Sequence, residues 1–265
     1  MTTNLKGTAL VTGASTGIGA IYADRLAKRG YDLILVARSR DRLDALAKRL
    51  GDETGRTIEV VAADLSDNGD LRRVESILRE HASVRTLVNN AGLGAAGPLL
   101  ASDVNKMEKM IALNVTALTR LTYAAAPAFI ERGGGTIINI ASAVAIAPDV
   151  LNGVYGGSKA FVLAFSQSLH KELTQHNIRI QAVLPGATAT EFWDVLGLPV
   201  ANLPSETVMR ADALVDAALA GLDQGELVTI PSLPDAADWN AYEAARQKLM
   251  PNLSRSTPAS RYAAR

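Results

Sequence analysis

A doubly wound α/β domain is the fold that the sequence predicts: a seven-stranded, mainly parallel sheet with helices on both faces, in three layers. Short apolar runs rich in β-branched residues alternate along the chain with longer segments of helical period. Strand–helix–strand units of this kind join parallel neighbours through right-handed crossovers. No linker, repeat or shift in composition divides the 265 residues. We therefore expect a single domain over residues 1–265.

Seven strands are predicted from apolar runs that are bounded by glycine, proline or polar turn residues. In chain order they are Thr8–Thr12, Asp32–Ala37, Ile58–Ala63, Thr86–Asn89, Thr136–Ile140, Ile178–Leu184 and Leu227–Ile230. Pro185-Gly186 ends the sixth strand, because proline has no N–H to donate to a ladder.

Seven helices are predicted where apolar residues recur at three and four positions. They are Ala20–Arg29, Asp41–Leu50, Asn68–His81, Asp103–Glu131, Asn152–Asn177, Arg210–Leu222 and Asp235–Leu249. Gly30 closes the first helix, and Pro127 kinks the fourth or ends its first part.

Two stretches have no clean period. Ala187–Pro204 contains two prolines, and we expect it to form a mobile flap. The polar tail Pro251–Arg265 is expected to be either disordered or docked on a partner subunit.

Composition excludes several kinds of protein. Lys+Arg and Asp+Glu balance at 27 each, so nothing indicates a nucleic-acid surface or a polybasic membrane patch. The absence of cysteine excludes disulfides and thiolate metal sites, and the three histidines lack metal-ligand spacing. Neither a signal peptide in Met1–Gly7 nor an apolar run of the ~18 residues that a membrane helix needs is visible. We expect a cytoplasmic protein without a metal, nucleic-acid or membrane partner.

A glycine-rich turn joins the first strand to the first helix. Its sequence is Gly13-Ala14-Ser15-Thr16-Gly17-Ile18-Gly19. Glycines let the backbone approach a pyrophosphate closely, and a helix N-terminus offers free N–H groups and a positive dipole end. This context predicts a dinucleotide site. The alternative is a strand-to-helix turn without a ligand.

The end of the second strand bears on the choice of cofactor. In a dinucleotide fold an acidic residue about 20 positions after the glycines binds the ribose 2′-hydroxyl, whereas an arginine accommodates a 2′-phosphate. This strand ends in Arg38-Ser39-Arg40, and its one acid, Asp32, stands at the other end. We therefore expect NADP(H), with Arg38 as the leading phosphate contact and with NAD(H) still possible. The alternative is that these arginines are exposed turn residues.

Tyr155 and Lys159 lie four residues apart on a predicted helix, one turn apart on the same face. An ammonium beside a phenol favours the phenolate, so the pair can act as a proton-transfer unit. An amphipathic helix can also carry both residues for solubility alone.

Four motifs occur together in order on the appropriate elements. They are Thr12-Gly13-x-x-x-Gly17-x-Gly19, Asn89-Asn90-Ala91-Gly92, Ser142 and Tyr155-x-x-x-Lys159. Together they resemble the short-chain dehydrogenase/reductases in their single-domain branch, over residues 6–232. The resemblance implies a Rossmann-type domain that interconverts a carbonyl and an alcohol by hydride transfer. Residues 233–265, a helix and a tail, lie outside the shared fold.

The resemblance also implies catalytic roles. Tyr155 is the general acid/base, and Lys159 binds the nicotinamide ribose and lowers the Tyr155 pKa. Ser142, thirteen residues before the tyrosine, holds the substrate oxygen, and Asn114 supports a water-linked proton relay.

Cofactor contacts follow from the same resemblance. Beyond the glycine turn and the catalytic pair, they are Asp64 and Leu65 at the adenine, Asn90, Ala91 and Gly92 on the adenosine side, and Pro185, Gly186, Thr188 and Thr190 towards the nicotinamide. Thr188 departs from the family, which usually has Val or Ile there. Since that contact is largely made by backbone, we expect binding to persist.

The predicted substrate pocket is mostly apolar, which suits a hydrophobic ketone, aldehyde or acyl substrate, such as a 3-oxoacyl or steroid-like compound. Its expected contacts are Ser142, Val144, Leu151, Tyr155, Phe192 and Trp193. Asp149 and Glu191 near the rim argue against an anionic carrier. The two long central helices carry apolar side chains beyond one core stripe, and the resemblance implies a homodimer or homotetramer. A silent nucleotide-binding regulator and a lyase or isomerase remain alternatives.

Overall fold

A computed structural model describes residues 6–262. The predicted start Met1–Gly7 and the predicted tail Pro251–Arg265 each lie partly outside these residues. Strands of the main sheet are β1 Thr8–Thr12, β2 Asp32–Ala37, β3 Ile58–Ala62, β4 Val84–Asn89, β5 Gly135–Ile140, β6 Ile178–Val183 and β9 Val228–Thr229. A separate parallel pair is formed by β7 Thr188–Ala189 and β8 Met209–Arg210.

All pairs of neighbouring strands in the main sheet are parallel, in the order β3-β2-β1-β4-β5-β6-β9. The order reverses beside β1, which lies between β2 and β4. Ligands of such sheets bind outside the carboxyl ends of the strands at this point. The fold therefore fixes where a site belongs.

Side chains of β1 alternate between two hydrophobic cores, as the period of a strand requires. Ala9 and Val11 belong to one buried cluster and Leu10 to the other. The first cluster contains residues of the helices α1 Gly17–Lys28, α2 Arg40–Thr54 and α8 Ala211–Asp223. The second contains residues of α3 Asn68–Glu80, α5 Leu118–Glu131 and α6 Gly153–Leu173. The predicted doubly wound, three-layer α/β fold is confirmed.

The predicted long helix Asp103–Glu131 is modified at its middle. It begins as α4 Val104–Ile111, widens to a π-helical turn over Ala112–Ala117 and continues as α5. Pro127 lies inside α5 without ending it. A π turn inserts an extra residue into a helix and is frequent at functional sites. This one carries Asn114.

The predicted flap, Ala187–Pro204, contains β7, the short helix α7 Phe192–Val195 and the 3-10 turn Val200–Asn202. The strand β7 pairs with β8, which ties this segment back to the start of α8. The side chains that it contributes to the site therefore come from a hydrogen-bonded segment.

The chain divides into two compact units, one ending at Pro231 and the other beginning at Ser232. The second unit contains α9 Ala236–Leu249 and 3-10 turns at Met250–Asn252 and Ser260–Tyr262. None of its described residues is buried. The first unit ends one residue before residue 232, the predicted end of the shared fold.

Candidate active site

A cleft of about 840 Å³ opens at the carboxyl ends of the parallel strands. Of the predicted site residues, only Gly19 and Asn114 do not line it. Those that line it are Gly13, Ser15, Thr16, Gly17, Ile18, Arg38, Asp64, Leu65, Asn90, Ala91, Gly92, Ser142, Val144, Leu151, Tyr155, Lys159, Pro185, Gly186, Thr188, Thr190, Phe192 and Trp193. Segments far apart in the sequence thus meet in one concave surface.

The glycine turn has the backbone that its sequence requires. Gly13 and Gly17 have φ values of 64° and 54°, in the left-handed region that favours glycine. A Cβ at Gly13 would lie 2.9 Å from the Cα of Ala91. Gly19 faces the turn rather than the cleft, and a Cβ there would collide with the Gly13 carbonyl. It therefore allows α1 to pack closely behind the turn.

The N-terminus of α1 fits a phosphate group. Thr16 occupies the N-cap position without a side-chain capping bond, and the first turn has no acidic residue. The uncapped N–H groups and the positive end of the helix dipole therefore lie beside the cleft. The residues present fit the pyrophosphate of a dinucleotide.

Hydrogen bonds join the glycine turn to the next wall of the cleft. The Thr12 hydroxyl accepts from the backbone N–H groups of Asn90 and Ala91 at 2.9 and 3.0 Å. In return the Asn90 amide donates to the Thr12 and Gly13 carbonyls at 2.9 and 3.2 Å. These four hydrogen bonds hold the residues after β1 against the residues after β4. We call this bonded pair of segments, Thr12-Gly13 and Asn90-Ala91, the ledge.

Two arginines line the end of the cleft beside β2, where the resemblance implies the adenosine end of the cofactor. Arg38 is exposed there, immediately after β2. Arg42, in the first turn of α2, also lines the cleft and pairs with Glu191 at 2.8 Å. This ion pair joins the first turn of α2 to the flap.

Tyr155 and Ser142 meet at the other end of the cleft. Tyr155 is only 6% exposed, and burial raises its pKa above the ordinary value, while a hydrogen bond with Ser142 lowers it in part. Ser142 follows β5 and also donates to the Pro185 carbonyl at 3.3 Å. The resemblance implied a lowered Tyr155 pKa, whereas burial dominates in this structure and raises it.

Lys159 lies deeper, with its Nζ 5.9 Å from the centroid of the Tyr155 ring. Its ammonium donates to the Ile140 carbonyl at 2.9 Å. Burial lowers the Lys159 pKa to about 8, because an apolar environment disfavours the charged form. The ammonium form therefore still predominates at neutral pH and is lost as the pH rises through about 8.

Asn114 acts on the wall of the cleft through the backbone of Leu93. Its side-chain oxygen accepts from the Leu93 N–H and its amide donates to the Leu93 carbonyl, both at 2.8 Å. The amide also donates to Ser158 at 3.1 Å. The π turn thus holds the segment after Gly92 in place.

Aromatic side chains of the flap close the cleft beside Tyr155. The Phe192 ring centroid lies 6.0 Å from that of Tyr155, and a Cβ at Gly94 would collide with the Phe192 ring. Trp193 donates its indole N–H to the Thr188 carbonyl at 2.9 Å. Because the acceptor is the backbone carbonyl, this bond does not depend on residue 188 being threonine rather than the Val or Ile that is usual in the family.

Sequence reasoning missed several residues that line the cleft. They are Val36, Ala37, Ser39, Arg42, Ala63, Ser66, Leu113, Ile140, Ala141, Ala143 and Ala187. Most directly adjoin a predicted contact, so the carboxyl ends of the predicted strands could have indicated them. Arg42 could not be found in this way, because its partner Glu191 is 149 residues away.

Among residues 6–262, no group of three or more acidic or histidine side chains is arranged to hold a metal ion. Within the same residues, no helix has both the length and the apolar character needed to cross a membrane.

Residues 7–198 match the family described as short chain dehydrogenase. A short-chain dehydrogenase from Sphingobium yanoikuyae in complex with NADPH is 51% identical, with a TM-score of 0.94 over 97% of this chain and 99% of that one. The bulky-bulky ketone specific alcohol dehydrogenase from Comamonas testosteroni is 46% identical, with a TM-score of 0.90 over the same shares.

Among curated relatives, the very-long-chain 3-oxoacyl-CoA reductase of Anas platyrhynchos is 36% identical over 209 residues, 77% of this chain. The match spans 66% of that relative, just under two thirds of its length. Sequence, fold and site geometry agree. The chain belongs to the short-chain dehydrogenases, a family of NAD(P)-dependent oxidoreductases.

Proposed function

We propose that the protein is an NADP(H)-dependent oxidoreductase that interconverts an apolar carbonyl compound and its alcohol, with Tyr155 as general acid/base. The observation that carries the proposal is the convergence of Ser142, Tyr155 and Lys159 where the phosphate-binding end of one cleft passes into its apolar end. The family's chemistry and the NADPH-bound neighbour support it.

When bound, the cofactor supplies a hydride for the carbonyl carbon and leaves in its oxidised form. The Tyr155 hydroxyl donates a proton to the carbonyl oxygen, and Ser142 stabilises the charge that develops there by hydrogen bonding. The raised pKa keeps Tyr155 protonated at neutral pH, as an acid in the reduction must be. Lys159 uses one donor on Ile140 and, while charged, has others for the ribose hydroxyls.

The preference for NADP(H) is proposed from the charge at the adenosine end. Arg38 and Arg42 line the cleft there, and planar guanidinium groups suit a phosphate. The end of β2 offers no carboxylate for a 2′-hydroxyl, and NAD(H) stays a weaker alternative. Equal or higher kcat/KM with NADH than with NADPH would contradict this preference.

Tyr155→Phe tests the catalytic assignment. We expect kcat for ketone reduction to fall by about 10³-fold, within the usual range for a lost general acid, while the Kd for NADPH stays unchanged. Absorbance of the reduced nicotinamide measures turnover, and fluorescence titration measures binding. Tyr31→Phe, which does not touch the cleft, is the matched control.

Retained turnover in Tyr155→Phe would remove that residue from the mechanism. Tight NADPH binding by the wild type without turnover of any ketone, aldehyde or alcohol would favour the regulator. Conversion of a substrate without net redox change would favour a lyase or isomerase.

We also propose a cytoplasmic homodimer or homotetramer. Tyr123 on α5 is 69% exposed and stacks on Phe165 of α6, with ring centroids 6.4 Å apart. Phe161 extends this stack. Such an aromatic surface on neighbouring helices is suited to a second copy of the chain. A monomer in light scattering would contradict the assembly, and the lack of cysteine is compatible with a reducing compartment.

A further inference from the structure

Acidic residues alone carry the formal charges of the segments that wall the substrate end. These segments are residues 93–102, 143–153 and 187–209, and each contributes residues to the cleft. Across all three there is no lysine or arginine. Their charged residues are Asp149, Glu191, Asp194 and Glu206.

The basic residues that line the cleft lie outside these three segments. Among the described residues that line it, these are Arg38 and Arg42 at the adenosine end and Lys159 beneath Tyr155. Arg42 is paired with Glu191, and Lys159 is buried against Ile140. The nearby helix α4 carries exposed lysines, but they do not line the cleft.

Asp149 and Asp194 do not line the cleft themselves, but each directly adjoins residues that do. Asp149 precedes the lining residue Val150 and follows Pro148, whose Cα would lie 3.2 Å from a Cβ at Gly156. Asp194 lies between the lining residues Trp193 and Val195. Both carboxylates are exposed, and within residues 6–262 neither has an ion-pair partner.

The lining of this end of the cleft is apolar, with Val144, Leu151 and Phe192 packed around Tyr155. Such a pocket binds neutral apolar groups by removing them from water. An anionic group brought to this end of the cleft instead approaches two unpaired negative charges, and the three segments around it carry no cation. Like charges of this kind oppose association, and salt screens their effect.

We propose that this site selects neutral, apolar carbonyl compounds and rejects anionic ones, coenzyme A thioesters included, with Asp149 and Asp194 as the residues that reject them. The inference rests on the proposed function and names its substrate class. If it holds, this chain does not reduce the coenzyme A thioesters for which its 3-oxoacyl-CoA reductase relatives are named.

Two matched substrate pairs test the selection. One is an aryl ketone that carries a carboxylate, paired with its methyl ester. The other is a 3-oxoacyl-CoA, paired with the N-acetylcysteamine thioester of the same acid. We expect kcat/KM with NADPH to be at least about tenfold higher for the neutral member of each pair at low ionic strength. In 0.5 M salt, where the Debye length is only about 4 Å, this neutral-to-anionic ratio should become smaller.

The double variant D149N/D194N should narrow the same ratio about threefold or more by raising kcat/KM for the anionic member. Its control is E80Q/E172Q, which removes two charges at the C-terminal ends of α3 and α6. Those ends lie at the opposite edge of the sheet, so the control should keep the wild-type ratio.

If the anionic substrates have the same kcat/KM as their neutral partners at low salt, the proposed selection is overturned. So would a ratio in D149N/D194N equal to that of the control. If neither member of a pair is reduced, the proposed function fails, and calorimetric titration of both members into the protein with NADP⁺ then measures the selection. Equal affinities there would overturn it.

Discussion

The two ends of the cleft are built differently. The phosphate-binding end consists of a turn with positive φ values, an uncapped helix terminus and a ledge of side-chain to backbone bonds between Thr12 and Asn90. The substrate end consists of loops and a short flap helix, held by aromatic packing and by Asn114. The backbone of β1, α1 and β4 forms the first end, and its geometry suits a dinucleotide phosphate. The second can change without disturbing the sheet, so it is where substrate preference is set.

Gly19→Ala breaks the first end and has the largest expected effect. The new Cβ would lie 2.8 Å from the Gly13 carbonyl carbon and closer still to its oxygen, so α1 or the turn must move. We expect the free energy of unfolding to fall by about 4 kcal/mol and NADPH binding to be lost. Urea denaturation and fluorescence titration measure the two effects.

Gly51→Ala is the control for this change. Gly51 lies inside α2, and a Cβ there would lie 3.8 Å from its nearest neighbour, at ordinary contact distance. We expect a gain in stability of roughly 0.5–1 kcal/mol from helix propensity. Equal stability of Gly19→Ala and the wild type would show that the turn adapts and is not rigid.

Lys159 lies at the junction of the two ends and makes stability depend on pH. Its folded pKa of about 8 lies below the ordinary lysine value of 10.5, so the unfolded chain binds more protons between these values. Stability of the cofactor-free protein should therefore rise with pH above about 8, and the full span corresponds to about 3 kcal/mol. Below pH 8 the full free-energy cost of burying the charged Lys159 opposes folding.

Urea denaturation between about pH 8 and 9.5 measures this slope, below the range where Tyr22 and Tyr155, with raised pKa values, act in the opposite direction. Lys159→Met should flatten it. A slope that persists unchanged in Lys159→Met would assign it to another group.

Asn114→Ala affects the second end and has the smallest expected effect. It leaves the Leu93 N–H and carbonyl without their partner, so we expect a loss of about 2 kcal/mol of stability. Because Leu93 lines the cleft, KM for ketones should rise more than the Kd for NADPH does. Asn105→Ala, exposed in the first turn of α4, is the control. A larger change in NADPH affinity than in ketone KM would place Asn114 with the cofactor end.

The sequence predicted the local parts of the site far better than the contacts between distant segments. Glycine spacing and strand ends are local signals, and they located the turn and Arg38. The contact between Arg42 and Glu191 is not local, since the fold alone brings them together. Similarly, helical periodicity over Asp103–Glu131 could not reveal the π turn, because one extra residue barely disturbs the pattern. The pKa of Tyr155 is raised by burial, and burial cannot be read from a sequence motif.

The ledge between Thr12 and Asn90 has a consequence for folding. Its two sides are 78 residues apart in the chain and come together only when β4 has paired with β1. Closing a loop of that length costs entropy before any contact is gained, so this step is expected to be slow. A nucleotide added during refolding would therefore report the moment at which the centre of the sheet closes.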